Sequence, residues 1–108
     1  MVDAAFLERM KDDAILVNTA RGALVDQQAL AAVLECGKLA AIGFDTLSPE
    51  PVQADHPLLN LSAEAAARTF FSPHIGGVTE GVFKRAHHMV WSNVARVAAG
   101  EEPLNIVS

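Results

Sequence analysis

Ala14–Ile15–Leu16–Val17–Asn18–Thr19–Ala20–Arg21–Gly22 is the stretch that decides the fold. Its first four residues form a continuous apolar run, without alternation. Such a run reads as a strand buried on both faces, as in a parallel sheet covered by helices. It stops in a polar loop, Asn18 to Gly22. Upstream, Asp3 suits the N-cap of a short helix, Ala4 to about Met10, with Phe6, Leu7 and Met10 on one side. Downstream, Asp26 can cap a second helix, about Gln27 to Cys36, whose stripe is Leu30, Val33 and Leu34. Gly37 then takes the position just past its end.

The same alternation continues. Leu39 to Phe44 is a second apolar run and ends at Asp45. In Ser48–Pro49–Glu50–Pro51 two prolines forbid regular structure. Between Asp55 and Arg68 the pattern is compatible with a helical turn or a mobile loop. Thr69–Phe70–Phe71 is a third short run and ends at Ser72–Pro73–His74. After Gly76–Gly77, Thr79 is the expected cap of a long helix to about Ala99, closed by Gly100, with Phe83, Ala86, Val90, Val94 and Val97 as its stripe. The order α-β-α-β-loop-β-α predicts an α/β, Rossmann-like parallel sheet with flanking helices.

Composition narrows the function. The 108 residues are 51% hydrophobic and 19% charged, with a formal net charge of −5. That charge, with no basic run, argues against nucleic acid as a partner. Cys36 is the single cysteine, so no disulfide framework is expected, and a reducing cytoplasm is the simplest setting. No apolar stretch approaches the roughly 20 residues of a membrane span, and Met1–Val2–Asp3 does not open like a signal peptide.

Three polar clusters each follow directly on a predicted strand: Asn18–Arg21, Asp45–Glu50 and Ser72–His74. Ligands of open α/β sheets bind beyond the carboxyl ends of the strands. Arg21, Asp45, Glu50 and His74 are therefore candidates for one site. An arginine fork grips a carboxylate with two parallel bonds. A histidine exchanges protons near neutral pH, and a neighbouring carboxylate orients it. One anion anchor plus one oriented proton donor suits the reduction of a 2-oxo acid or its reverse.

The residues also carry a family resemblance. Ile15 to Asp26, with Asn18, Arg21 and Gly22, resembles the Asn-x-x-Arg-Gly signature of D-2-hydroxyacid dehydrogenases. Gly43–Phe44–Asp45 with Pro49–Glu50–Pro51 resembles the second signature, and Ser72–Pro73–His74–Ile75–Gly76–Gly77 with Thr79 the third. Glu50 follows Arg21 by 29 positions and His74 follows Glu50 by 24, close to the family's spacing. The resemblance implies that Arg21, Glu50 and His74 are catalytic: Arg21 holds the substrate carboxylate, His74 is the acid/base and Glu50 its partner. It implies that Thr19, Ala20, Arg21, Asp45, His74, Ile75, Gly76 and Gly77 line the cofactor, NAD, with NADP left open. The partner would be a small 2-hydroxy or 2-oxo acid.

Gly76, Gly77 and Gly81 do not form a Gly-x-Gly-x-x-Gly turn, because position 78 is Val. The chain is accordingly expected to be the C-terminal half of an NAD-binding domain, without its N-terminal half or a substrate domain. It is expected to be inactive alone and to self-associate as a dimer or larger. Two alternatives are a truncated module that folds without catalysing anything and a nucleotide-sensing member of the family.

Other residues read as structural. His87–His88 lacks a partner four residues away, so no metal site is expected. His56 before Pro57 reads as a solvated loop residue. Trp91 and Met89 read as packing groups, Cys36 as a passive small residue, and Glu80–Lys84 as a surface ion pair.

Overall fold

The computed structural model describes residues 1–107. Three strands, β1 (Ala14–Asn18), β2 (Leu39–Phe44) and β3 (Thr69–Phe71), form one sheet in the order β1-β2-β3. Both pairings are parallel, as the apolar runs predicted. The chain divides into two compact units, Met1–Gly76 and Gly77–Ser108.

The first unit holds the sheet and α1 (Ala4–Arg9), α2 (Gln27–Glu35) and α3 (Ala63–Ala66). Helix α1 starts where Asp3 accepts the Phe6 N–H at 2.9 Å, and α2 where Asp26 accepts that of Ala29 at 2.9 Å. Gly37, at φ +72°, ends α2: its N–H bonds to Leu34 O and that of Lys38 to Val33 O. A left-handed residue here satisfies carbonyls that the helix would otherwise leave free. The core is Leu7, Leu30, Leu34, Leu39, Ile42, Phe44, Leu58 and their neighbours.

Reading β1 as buried on both faces was wrong. Ile15 and Val17 are 64% and 65% exposed, whereas Ala14 and Leu16 are partly covered. The core lies on one side of the sheet, and the residues paired with Ile15 and Val17 on β2 are Ala41 and Gly43. The apolar run marks a parallel sheet, with only one face of it covered.

Asp55 to Arg68 is neither a single helical turn nor a free loop. It forms a 3-10 turn, Pro57–Leu59, and then α3, capped by the Ser62 hydroxyl on Ala65 N–H at 3.2 Å. Leu58 and Ala65 are buried by it. Arg68 fixes its end, donating to Leu39 O and Leu34 O, both at 2.7 Å.

His56 is not solvated. It is 4% exposed, because the turn that starts at Pro57 carries it inward with Leu58.

The second unit is α4 (Val82–Ala98) with a C-terminal tail. Its N-cap is Gly81, at φ +75°, and not Thr79; Val82 N–H bonds to Thr79 O in the turn that Gly81 closes. Gly100, at φ +77°, ends it as expected. Asn93 holds the tail, donating to Leu104 O at 3.0 Å and accepting from Leu104 N–H at 2.8 Å. Trp91 and Met89 are exposed and not packed, as is the Phe83–Val90–Val97 stripe, since α4 has no buried residue. Glu80 precedes the helix, so the expected i, i+4 pair with Lys84 lacks its geometry; the ion pairs among the described residues are Lys38–Asp12, His74–Glu50 and Arg96–Glu101.

Candidate active site

The parallel register sets the carboxyl ends of the strands side by side: Asn18 pairs with Phe44, and Phe44 with Phe71. Backbone bonds then knit the loops that follow. Asp45 N–H donates to Asn18 O at 3.0 Å, Ser72 N–H to Phe44 O at 3.0 Å, and His74 N–H to Asp45 O at 2.8 Å. The three polar clusters thus meet at one edge of the first unit.

Glu50 and His74 are in contact. His74 Nδ1 lies 2.9 and 3.1 Å from the two Glu50 carboxylate oxygens. An ionised carboxylate can only accept, so Nδ1 carries the proton. The other ring nitrogen, Nε2, makes no hydrogen bond among the described residues. The two side chains are 46% and 42% exposed, so the pair contributes orientation more than stability. His74 holds this position with φ +54°, in the left-handed region that non-glycine residues rarely adopt. Its N–H bond to Asp45 O is what offsets that strain.

Asp45 organises the same turn. Its Oδ1 accepts from the Ser72 hydroxyl and from Ile75 N–H at 3.0 Å, and its Oδ2 from Gly76 N–H at 2.7 Å. The Ser72 hydroxyl first, then the Gly76 amide, hold the Asp45 carboxyl below its ordinary 3.8, against the effect of burial; the Ile75 amide and the charge of His74 add to this. Gly76 gives this turn room: a Cβ there would stand 2.8 Å from Asp45 Oδ2, which would have to shift. Gly77 begins the second unit, and a Cβ on it would meet nothing within 4 Å.

Arg21 is placed differently. Its Nη1 donates to Ala20 O at 2.7 Å, and it has no bond to Glu50 or His74. Its loop, however, is built. Buried Asn18 donates to Arg21 O at 2.8 Å and accepts from Ala20 N–H at 3.0 Å, which closes a tight turn around exposed Thr19 and Ala20. Gly22 then packs on the Leu47–Ser48 peptide, in the loop that carries Glu50.

Two hollows open at this edge. One, of about 390 Å³, has Glu50 and His74 in its wall beside Leu47, Val52, Leu59 and Phe71. The other, of about 260 Å³, is lined by Thr19, Gly43, Asp45, Phe70 and Ser72. Neither has Arg21 in its wall.

Reading the residues alone gave Gly22, Gln27 and His56 no part in building the site. Gly22 packs on the Leu47–Ser48 peptide, and Gln27 and His56 bond to the Ser48 backbone from 21 and 8 positions away. Only the apolar Pro57–Leu58–Leu59 just after His56 signals its burial.

An open parallel sheet with an imidazole–carboxylate pair and glycine-rich turns at its carboxyl edge defines a Rossmann-like, ligand-binding α/β protein. Residues 1–76, the whole first unit, match the family model "D-isomer specific 2-hydroxyacid dehydrogenase, NAD binding domain". The chain is 38% identical over 108 residues to a glyoxylate reductase of Korarchaeum cryptofilum, covering all of this chain and 31% of that one. It is similar to a D-isomer specific 2-hydroxyacid dehydrogenase of Xanthobacter autotrophicus solved with NADPH and MES (TM-score 0.82, 30% identity, 97% of this chain and 40% of that one). The apo D-mandelate dehydrogenase of Rhodotorula graminis matches equally well (TM-score 0.82, 31% identity, 99% and 30%). The chain belongs to the D-isomer-specific 2-hydroxyacid dehydrogenase family, within its NAD-binding domain. It spans about a third or less of the length of the curated relatives it matches.

Proposed function

We propose that this chain is the catalytic-loop part of an NAD(P)-dependent oxidoreductase that reduces 2-oxo acids to D-2-hydroxy acids. The contact between Glu50 and His74 carries the reading. Relatives named glyoxylate reductase and hydroxypyruvate reductase support the substrate class. The residues present fit the nicotinamide end of a dinucleotide: Thr19 and Ala20 are exposed, and the turn at Ile75–Gly76 is held by Asp45. They do not fit its pyrophosphate, since no Gly-x-Gly-x-x-Gly turn occurs in the sequence.

When bound, the nicotinamide supplies or accepts the hydride at C2 of the acid. His74, doubly protonated, gives its Nε2 proton to the oxygen on that carbon. Its Nδ1–H stays on Glu50, which fixes the ring plane. In the reverse direction neutral Nε2 takes the hydroxyl proton. Arg21 grips the carboxylate by leaving Ala20 O, a rotation that its exposed side chain allows. Asp45, with all its bonds directed to Ser72, Ile75 and Gly76, acts by shaping the turn beside the nicotinamide. The chain as the C-terminal half of an NAD-binding domain remains part of this proposal.

The test has two arms. In the chain itself, NAD should bind weakly, without turnover, and shift the amide signals of Thr19, Ala20, Asp45, Ile75 and Gly76. Substituted for the matching third of the Korarchaeum glyoxylate reductase, the chain should support glyoxylate reduction, and His74→Ala should then lower it by a factor of about 100 to 10,000. A dead chimera that folds, or amide shifts elsewhere only, would overturn the reading. We also infer self-association, because Ile15, Val17 and Phe70 leave one sheet face apolar and exposed. Light scattering that gave a monomer mass at all concentrations would refute it.

A further inference from the structure

Buried Gln27 and His56 form a bracket around the backbone of one residue, Ser48, in the loop that carries Glu50. Gln27 Nε2 donates to Ser48 O at 3.1 Å, and Gln27 Oε1 accepts from Ser48 N–H at 3.2 Å. The side-chain amide therefore reads the Ser48 backbone as a neighbouring strand would. His56 completes the set. Its Nδ1 accepts from Leu58 N–H at 3.2 Å, so its proton lies on Nε2, which points at Gln27 Oε1 at 3.0 Å and Ser48 O at 3.2 Å. With two donors converging on it, Oε1 can only be an oxygen, which fixes the orientation of the Gln27 amide.

We propose that Gln27 and His56 are positioning residues for Glu50, and through it for the orientation of the His74 ring; this rests on Glu50–His74 being the working pair. The route is short. A single residue, Pro49, separates the clamped Ser48 from Glu50, and its ring fixes φ. Pro51 restricts the other side. The Glu50 backbone is thus set by the placement of Ser48, and its carboxylate reaches Nδ1 from there. Gln27 is 9% exposed and His56 4%, so the bracket is sheltered from competing water. A bracket with only a stabilising role could lie anywhere along the loop; this one grips the N–H and C=O of Ser48, two residues from Glu50.

The test uses the 108-residue chain and needs no turnover. Ring nitrogen NMR at about pH 9, where imidazole is normally neutral, shows which nitrogen of His74 holds the proton. Neutral imidazole in water favours Nε2–H; Glu50 should impose Nδ1–H. Gln27→Met and His56→Leu keep volume and delete the bracket, and each should cut the Nδ1–H fraction by about half or more, on the scale of one hydrogen bond. His56→Gln keeps a donor near the same place and should restore it. In the unaltered chain, Ser48 N–H exchange should be slowed about tenfold or more by its bond to Gln27.

A folded Gln27→Met chain with an unchanged His74 tautomer would overturn the proposal. So would a freely exchanging Ser48 amide, a measurement that stands even if both deletion variants unfold. An unaltered chain without Nδ1–H on His74 would instead sink the dehydrogenase reading, which keeps the two failures apart.

Discussion

Gly22 lies against Leu47 so closely that a Cβ on it would stand 2.6 Å from the Leu47 carbonyl oxygen. The Arg21 loop and the Glu50 loop are therefore one packed unit, although 25 positions separate Gly22 from Leu47. Gly22→Ala must push two backbones apart. It should destabilise the fold by about 1–3 kcal/mol, the usual cost of overpacking. Urea unfolding measures this; an unchanged midpoint would mean that the two loops do not touch.

Asn18 closes the turn before it. Asn18→Ala removes a donor to Arg21 O and an acceptor for Ala20 N–H in a buried position. The expected loss is about 1–3 kcal/mol, with faster exchange confined to the 19–22 amides. Protection unchanged at Ala20 would contradict it.

Asp45 gives the fold an acid-sensitive element. Its carboxyl is held below 3.8 by Ser72 and Gly76, so its contribution is complete above the unfolded value. That contribution is lost as pH falls from 3.8 through the lower folded value. Asp45→Asn should remove that part of the acid slope and loosen Ile75–Gly76 at neutral pH. Thermal melts between about pH 6 and pH 2 decide it; identical slopes for the two proteins would contradict the assignment.

Arg68 joins the end of α2 to the start of β2 through Leu34 O and Leu39 O. Lysine is a point charge without a fork. Arg68→Lys should lower stability by about 1 kcal/mol, visible as a lower denaturation midpoint at an unchanged slope. Equal midpoints would show that one bond suffices.

The sequence made the sheet legible because its signal is local. Continuous apolar runs, Asp3 and Asp26 as caps, and Gly37 and Gly100 as terminators each act within a few residues, and all fell where expected. The outer face of β1 was misjudged because an apolar run is the same whether or not something covers both sides. Thr79 lost the cap to Gly81 because a left-handed glycine two residues later closes the turn without a side chain. His56 was misread for a different reason. A lone histidine before a proline looks solvated, and the partner that its ring meets once the turn carries it inward, Gln27, lies 29 positions away. At the site, the family resemblance implied the pairing of Glu50 with His74, and the structure shows them in contact. For Arg21 it gave only a location, since the guanidinium rests on Ala20 O.

The central claim is that Glu50 works through His74. The direct measurement is the rate of reduction and of oxidation across pH in the glyoxylate reductase chimera, with Glu50 and with Glu50→Gln. The amide keeps the shape and removes the charge that strengthens the bond to His74 Nδ1–H. Reduction needs the protonated ring and oxidation the neutral one. With Glu50→Gln, both rates should nonetheless fall across pH, because each direction uses the Nε2 that the bond from Nδ1–H to Glu50 orients. If both profiles stay where they were, Glu50 is not the partner of His74 in catalysis, and the account is wrong at its centre.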